Sequence, residues 1–374
     1  MNLRRRLAKS AVLRLRTSKA KGNLPMTGKY MAYVGSYSYT GKAKGITVYD
    51  VDVEAGKFYR CEVEVDNSSY LKSSQNGKIL YSIADEGVVA FRVLPNGSLA
   101  RLNSAKIKGM RGCHLSTSKA DDYIFISGFH DGKITVLHLN EDGSVGDIAD
   151  GVFHKGLGSV AERSFRPHVS CSRLTPDERF LMVADLGIDQ IKVYRFDHKD
   201  GKIALVDTIR CELESAPKYF MFSSDGRFFY VLYEMKNVIE VYSYKEGERV
   251  PIVEKIQTIS STGSKPNQLT AACAMHFSPD EKHVFCSNAG DNTVSMYDRD
   301  DETGMLTLRF CLPISGDYPK DIAIFPGGEH LASINHEGSI SFFKIDYEKG
   351  LLVMSDRSIK VNEPNCCEIV KIGD

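Results

Sequence analysis

The sequence HKGLGSVAERSFRPHVSCSRLTPDERFLMVADLG, residues 154–187, contains the unit that decides the fold. Its second half has a short strand after Pro167, a Thr-Pro-Asp-Glu turn that begins at Thr175, and an apolar strand at 180–184. Proline and aspartate are residues that tight turns prefer, so the pattern predicts two neighbouring antiparallel strands. The same unit recurs along the chain, which indicates a repeat architecture.

Two kinds of strand alternate through the chain. Six copies of the turn and apolar strand begin at Ser74, Ser118, Thr175, Ser223, Ser278 and Phe325. Their starts are 44 to 57 residues apart, which is the spacing of four-stranded propeller blades with variable loops. An alternating strand follows each copy, and a seventh, GITVYDVD, begins at Gly45. Apolar residues recur at every second position in these strands, which is typical of half-buried strands, and no segment shows a comparable helical period.

Seven alternating strands but six apolar ones leave one blade without its innermost strand. The segment EPNCCEIVKI at 363–372 has the form of an innermost strand, and YVGSY at 33–37 supplies the next strand of the same blade. A blade built from both chain ends closes the ring and leaves no long open edge. We therefore predict an all-β fold, a seven-bladed β-propeller formed by residues 29–374, in which Cys366 and Cys367 face opposite sides of a strand.

Composition narrows the class of protein. The chain has 374 residues, of which 42% are hydrophobic, and no apolar run reaches the roughly 20 residues of a membrane helix. Its nine cysteines lack CxxC spacing, which argues against a disulfide framework or a structural zinc site and favours a reducing, cytoplasmic location. Residues 26–374 carry 40 basic and 48 acidic groups. This excess of negative charge gives no support for a nucleic-acid partner.

Residues 1–28 are predicted to lie outside the propeller as a basic extension. Residues 1–25 contain eight Lys or Arg and no acidic residue. This composition suits a transit peptide or a basic arm, but a disordered tail or a start codon upstream of the true one at Met26 is the preferred interpretation. Deleting residues 1–25 is expected to leave the melting temperature within about two degrees.

Ordered motifs give the chain a resemblance to one family. They are YVGSY with GITVYDVD, GCH at 112–114, HKGLGSVAER with PH at 154–168, VADLGIDQIKVY at 183–194, AP and YE within 216–234, and AMHFSPD at 274–280. In this order the chain resembles the 6-phosphogluconolactonase family of bladed propellers, which includes a fungal carboxymuconate lactonising enzyme. The resemblance implies lactone chemistry at one end of the central channel.

Only part of the family's proposed active site matches this chain. Its histidine and acidic residue correspond to His168 and Glu234, and its first arginine to Lys218. Four further positions differ from the family's pattern, with Tyr219 and Ser170 in place of histidines, Ala289 in place of a second arginine, and Ala274 in place of a glutamate. The resemblance therefore implies catalytic roles for His168, Lys218 and Glu234, with looser recognition of an anionic substrate because a lysine lacks the arginine fork.

The remaining candidates are assigned to substrate binding: Arg163, His114, His154, Tyr219 and His276. The three histidines could instead be hydrogen-bonded channel or inter-blade residues, because no close spacing supports a metal site. Opening a lactone with water needs a general base and donors for the developing oxyanion, and it needs no cofactor. We predict a metal-independent lactonase with a small-molecule substrate. The alternative is a propeller that has lost catalysis and binds a metabolite or protein at the channel face.

Overall fold

The structure is a computed structural model that describes residues 29–38, 40–65, 68–159, 165–263 and 269–373. The predicted extension at 1–28 and the candidate Arg163 lie outside the described residues. The described part of the chain forms 28 strands in seven four-stranded antiparallel sheets. The prediction of a seven-bladed propeller is confirmed.

The strands follow one another with short turns. In chain order they are β1 (Lys29–Ser36), β2 (Ile46–Asp52), β3 (Lys57–Val65), β4 (Leu71–Ser73), β5 (Ile79–Ala84), β6 (Gly87–Val93), β7 (Leu99–Lys106), β8 (His114–Thr117), β9 (Tyr123–Gly128), β10 (Lys133–Leu139), β11 (Val145–Phe153), β12 (Val169–Leu174), β13 (Phe180–Asp185), β14 (Gln190–Phe196), β15 (Ile203–Arg210), β16 (Pro217–Phe222), β17 (Phe228–Tyr233), β18 (Val238–Lys245), β19 (Ile252–Ser260), β20 (Ala271–Phe277), β21 (His283–Ala289), β22 (Thr293–Arg299), β23 (Leu306–Pro313), β24 (Pro319–Ile324), β25 (His330–Asn335), β26 (Ser339–Asp346), β27 (Leu351–Lys360) and β28 (Pro364–Ile372).

Blade 1 has the order β28-β1-β2-β3, so it combines the two ends of the chain. Strand β28 pairs with β1 in a register that places Cys367 opposite Val34 and Val370 opposite Met31. Blades 2 to 7 each contain four consecutive strands, beginning with β4, β8, β12, β16, β20 and β24. The predicted closure of the ring by the last strand is confirmed.

The hydrophobic core is divided among the contacts between neighbouring blades. Between blades 1 and 7, the Phe58 ring stacks on Phe325 at 5.4 Å between centroids and meets Phe342 edge-on at 5.2 Å. The predicted alternation of the two cysteines also holds, because Cys367 belongs to this core whereas Cys366 packs in the core between blades 1 and 2. Each blade therefore buries both faces of its sheet, which explains the apolar runs of the second strands.

A β-bulge recurs near the start of the innermost strands. The pairing register shifts at Ser170 in β12, Lys218 in β16, Cys273 in β20 and Lys320 in β24. A bulge leaves one residue unpaired and re-aims its side chain. Because the four bulges occupy the same place in four blades, these residues stand at one level of the central channel.

Within the described residues, no helix is long and apolar enough to span a membrane. The same part of the chain contains no group of three or more His, Cys, Asp or Glu side chains arranged to hold a metal ion.

Candidate active site

The channel has two distinct mouths. All seven innermost strands hold the same position in sheets of the same order, so they run in the same direction along the channel. We call the end where these strands begin, near Pro217 and Pro319, the amino mouth. The end where they finish, near Leu174 and Phe277, is the carboxyl mouth.

Lys218 and Glu234 form an ion pair at the amino mouth. Lys218 is the bulge residue of β16, and Glu234 follows β17 directly, with its backbone N–H donating to the Ala216 carbonyl at 2.9 Å. The Lys218 Nζ lies 2.6 Å from Glu234 Oε2, and the two side chains are 27% and 7% exposed. The bulge and the adjoining turn thus bring together two residues that the sequence predicts to be catalytic.

The ammonium group of this pair remains protonated. Burial alone would lower the pKa of Lys218, but the neighbouring Cys273 and Glu234 side chains outweigh burial and raise that pKa. The Cys273 Sγ lies 4.0 Å from Lys218 Nζ on the next blade. A fixed positive charge therefore stands at the amino mouth at neutral pH, next to a nearly buried carboxylate.

His168 lies at the same mouth on the adjacent blade. Its Nδ1 donates to the Phe129 carbonyl at 2.7 Å, its ring stacks on Phe129 at 4.4 Å between centroids, and its backbone N–H donates to Asp185 at 2.8 Å. The blades of His168 and Lys218 are joined by the hydrogen bond from Ser170 Oγ to the Pro217 carbonyl at 3.0 Å. With Nδ1 engaged, Nε2 is the nitrogen that can exchange a proton.

His154 is buried behind this mouth. Its Nδ1 lies 2.7 Å from Asp185 Oδ2, and neither side chain is exposed to solvent. Burial lowers the pKa of His154 despite the carboxylate, so the ring is neutral and donates to Asp185. Asp185 also accepts from the His168 backbone N–H, so this one carboxylate holds both His154 and His168. The alternative interpretation of His154 as an inter-blade residue fits these contacts.

Three aromatic rings from different blades contact one another, and we call them the aromatic layer. The His114 ring lies 4.9 Å from the Tyr70 ring and 5.8 Å from the Tyr219 ring, centroid to centroid, which links blades 2, 3 and 5. His114 is 2% exposed, and its Nδ1 has no hydrogen-bond partner among the described residues. Burial lowers the pKa of His114 well below its usual range, so this histidine is neutral. His114 is therefore a buried, neutral member of the aromatic layer.

A cavity of about 490 Å³ opens from this layer to the carboxyl mouth. Tyr219 and His276, both predicted to bind substrate, line it. The His276 Nε2 lies 2.8 Å from Asp321 Oδ1, and Arg173 donates to the Tyr219 hydroxyl. The predicted site is thus divided: Lys218, Glu234 and His168 stand at one mouth, and Tyr219 and His276 line a cavity at the other.

Besides the loop residues Lys119 and Glu178, four charged residues on the innermost strands of the cavity are absent from the prediction: Lys72, Arg173, Asp321 and Glu368. They lie on four different blades and share no local motif. Three of these strand residues occupy the same repeat position as His276, because each pairs with a middle residue of the second strand of its blade. The pairs are Lys72 with Tyr81, Arg173 with Met182, Glu368 with Tyr33, and His276 with Phe285. Superposing the repeats of the sequence would have revealed this polar level.

Comparison with known proteins decides the family. The family model described as lactonase, 7-bladed beta-propeller matches residues 31–369. The chain belongs to this lactonase family. The 6-phosphogluconolactonase of Bacillus subtilis is 27% identical over 350 residues, which cover 91% of this chain and 99% of the relative. The 6-phosphogluconolactonase of Formosa agariphila is 26% identical over 346 residues, which cover 88% of this chain and 96% of the relative.

Solved structures similar to this chain show the same fold. A Bacteroides fragilis protein provisionally named 6-phosphogluconolactonase superposes with a TM-score of 0.83 at 29% identity, covering 93% of this chain and all of the other. The periplasmic gluconolactonase of Pseudomonas aeruginosa gives a TM-score of 0.84 at 24% identity and covers 92% of this chain and all of the other, which supports the fold alone. The resemblance predicted from the sequence is confirmed.

Proposed function

We propose that this protein hydrolyses a sugar-derived lactone at the amino mouth. The observation that carries the proposal is the Lys218–Glu234 ion pair, 2.6 Å long and largely buried, at positions that match the family's proposed active site. The proposal is supported by membership of the lactonase family and by relatives named 6-phosphogluconolactonase. These relatives are about one quarter identical, so the particular lactone is part of the proposal.

Glu234 acts as the general base. Its carboxylate accepts a proton from a water molecule as the water oxygen attacks the lactone carbonyl carbon. The carbonyl oxygen becomes an oxyanion, and the Lys218 ammonium beside the carboxylate donates to it. When the ring C–O bond breaks, the proton taken by Glu234 passes to the departing alkoxide, so the product is a hydroxy acid and the carboxylate is regenerated.

His168 assists proton movement from the neighbouring blade. Its Nδ1–H is held by the Phe129 carbonyl at 2.7 Å, and that bond fixes the tautomer and the ring orientation. When the carboxylic acid of the product ionises, Nε2 accepts the proton that it releases and passes it to solvent. The mechanism uses protein side chains only, with no cofactor.

The substrate is less anionic, or larger, than a phosphosugar lactone. Lys218 supplies a point charge where the family has a forked arginine, so a carboxylate or phosphate receives fewer directed hydrogen bonds. The positions of the family's second arginine and its glutamate are the buried residues Ala289 and Ala274, and this wall of blade 6 therefore carries no charge at those two positions.

Hydrolysis of gluconolactone and 6-phosphogluconolactone tests the proposal. The rate of acid release at constant pH, corrected for spontaneous ring opening, should show catalysis of one or both lactones. Because Lys218 replaces an arginine, kcat/KM for the phosphorylated lactone should exceed that for the neutral lactone by less than in Lys218→Arg. Rates equal to the spontaneous ones across a panel of sugar lactones would contradict the proposal.

A further inference from the structure

We propose that the carboxyl-mouth cavity is a second ligand site, which binds a small anion that carries a carboxylate or phosphate together with hydroxyl groups. The site does not include Lys218 or Glu234, and the proposal does not depend on hydrolysis at the amino mouth. It rests on an incompletely bonded arginine, on charges paired elsewhere, and on a cavity of ligand size.

Arg173 supplies the cation. It lies on β12 and donates from Nη2 to the Tyr219 hydroxyl, while its guanidinium carbon lies 5.0 Å from the centroid of the Tyr219 ring. Its Nε is buried and has no hydrogen-bond partner among the described residues. A buried donor without a partner is costly, and the guanidinium fork matches the geometry of carboxylate and phosphate groups. The half-buried side chain as a whole lines the cavity, so an anion there would pair with the guanidinium charge.

The acidic groups of the cavity are engaged with other residues. Asp321 accepts from His276 at 2.8 Å through Oδ1 and from the Cys367 backbone N–H at 3.0 Å through Oδ2. Glu368 lies 3.1 Å from the Lys72 Nζ and also accepts from Ser73. Within the described part of the chain, no carboxylate forms an ion pair with Arg173. Glu178, also in the cavity lining, accepts from the Lys119 backbone N–H at 2.6 Å. Arg173 and Lys119, whose ammonium donates to the Pro176 carbonyl, are therefore the cavity cations that these pairs leave for a ligand.

The walls of the cavity suit a hydroxylated organic molecule. Tyr70 and Tyr219 present aromatic rings, Met221 adds an apolar contact, and His276, whose side chain is 35% exposed, can hydrogen-bond. The volume of about 490 Å³ lies within the range of small-molecule sites. Bare phosphate would leave most of this space empty, whereas a sugar acid would fill more of it.

The two sites lie toward opposite mouths of the channel. The rings of Tyr70, His114 and Tyr219 contact one another from blade 2 to blade 5, and two of them line the cavity. Tyr219 contributes to the cavity while its chain neighbour Lys218 faces the amino mouth, so the bulge in β16 places the two residues on different sides. A ligand of the cavity is therefore expected to bind when the amino mouth is altered.

Isothermal titration calorimetry on the full chain tests the second site, with gluconate, 6-phosphogluconate and inorganic phosphate as probes. Arg173→Gln should weaken binding at least about tenfold, because a charge-assisted bond to the anion is lost. Arg173→Lys should fall between it and the parent. His276→Gln provides a second test on a partly exposed side chain and should weaken binding about threefold or more. Melting temperatures establish that each variant is folded.

The matched control is Lys218→Gln, which should retain cavity binding within about twofold. Equal affinity for phosphate and 6-phosphogluconate would identify phosphate as the recognised group, and equal affinity for gluconate and 6-phosphogluconate would identify the carboxylate. Failure of all three probes to bind, or binding lost in Lys218→Gln but kept in Arg173→Gln, would overturn the proposal.

Turnover separates this proposal from the proposed function. Arg173→Gln should hydrolyse the active lactone at a rate within about twofold of the parent, since Arg173 lines the carboxyl-mouth cavity whereas Lys218 and Glu234 pair at the amino mouth. If the parent binds the probes through Arg173 but hydrolyses no lactone, the proposed function fails and the second site stands. If Arg173→Gln abolishes turnover and Glu234→Gln does not, the cavity is the catalytic centre and both proposals fail.

Discussion

Replacing Val370 with alanine tests whether the last strand forms part of the folded core. Val370 lies in β28, is 4% exposed, and pairs with Met31 in the core between blades 1 and 2. The substitution deletes two buried methyl groups, which at ~0.8 kcal/mol each lose about 1.6 kcal/mol of transfer free energy. The cavity left behind raises the loss in unfolding free energy to about 2–3 kcal/mol.

The assay is thermal unfolding of the parent and the variant at one scan rate. A loss of this size should lower the melting temperature by about 3–4 °C in a chain this long. The matched control is Lys371→Ala, on the next residue of the same strand, whose side chain is exposed and should change the unfolding free energy by less than about 0.5 kcal/mol. Equal, small shifts for the two variants would refute the inclusion of β28 in the core.

Two further predictions concern charged groups. Glu240 is buried and accepts hydrogen bonds from Tyr242 and Lys255; burial opposes ionisation, but these bonds outweigh it and lower the pKa of Glu240. The ionised carboxylate stabilises the fold above the unfolded-state pKa, and this stabilisation is lost as pH falls through the folded-state pKa. Glu240→Gln should therefore lower the free energy of unfolding by about 2 kcal/mol at pH 7 and by progressively less toward pH ~3. Denaturant titrations at the two pH values measure this difference, and an equal loss at both would contradict the prediction. Lys218→Arg should raise the ratio of kcat/KM for phosphorylated over neutral lactone about three- to tenfold, because the guanidinium fork adds directed hydrogen bonds to the anion. Lys236→Arg at the same mouth is the control, and an unchanged ratio in Lys218→Arg would argue against contact between Lys218 and the anion.

The repeat pattern made most of the fold predictable. Strand β13 and the apolar strands equivalent to it follow tight turns, and both signals are local in sequence. The closing strand β28 was predictable because a count of seven against six leaves one place, and open sheet edges are unfavourable. A local periodicity and a counting argument therefore suffice for the architecture of this chain.

The site was less predictable because it depends on the level at which each side chain meets the channel. Lys218 and Tyr219 are adjacent in sequence, yet Lys218 pairs with Glu234 at the amino mouth whereas Tyr219 lines the cavity at the other. His114 and His154 have the chemistry of site residues, but burial makes both neutral and ties them to neighbouring blades. Arg173 carries no motif at all. Its candidacy as a ligand-binding residue depends on the cavity that several blades form around it.

The most direct test of lactone hydrolysis at the amino mouth compares Glu234→Gln with Glu214→Gln. Glu214 is an exposed carboxylate in the loop before β16, so its substitution controls for charge loss at the same mouth. Glu234→Gln keeps the shape of the side chain but removes the base, and kcat for the active lactone should fall by about two orders of magnitude or more while KM changes about threefold at most. Glu214→Gln should match the parent. Parent-level turnover by Glu234→Gln would contradict the account.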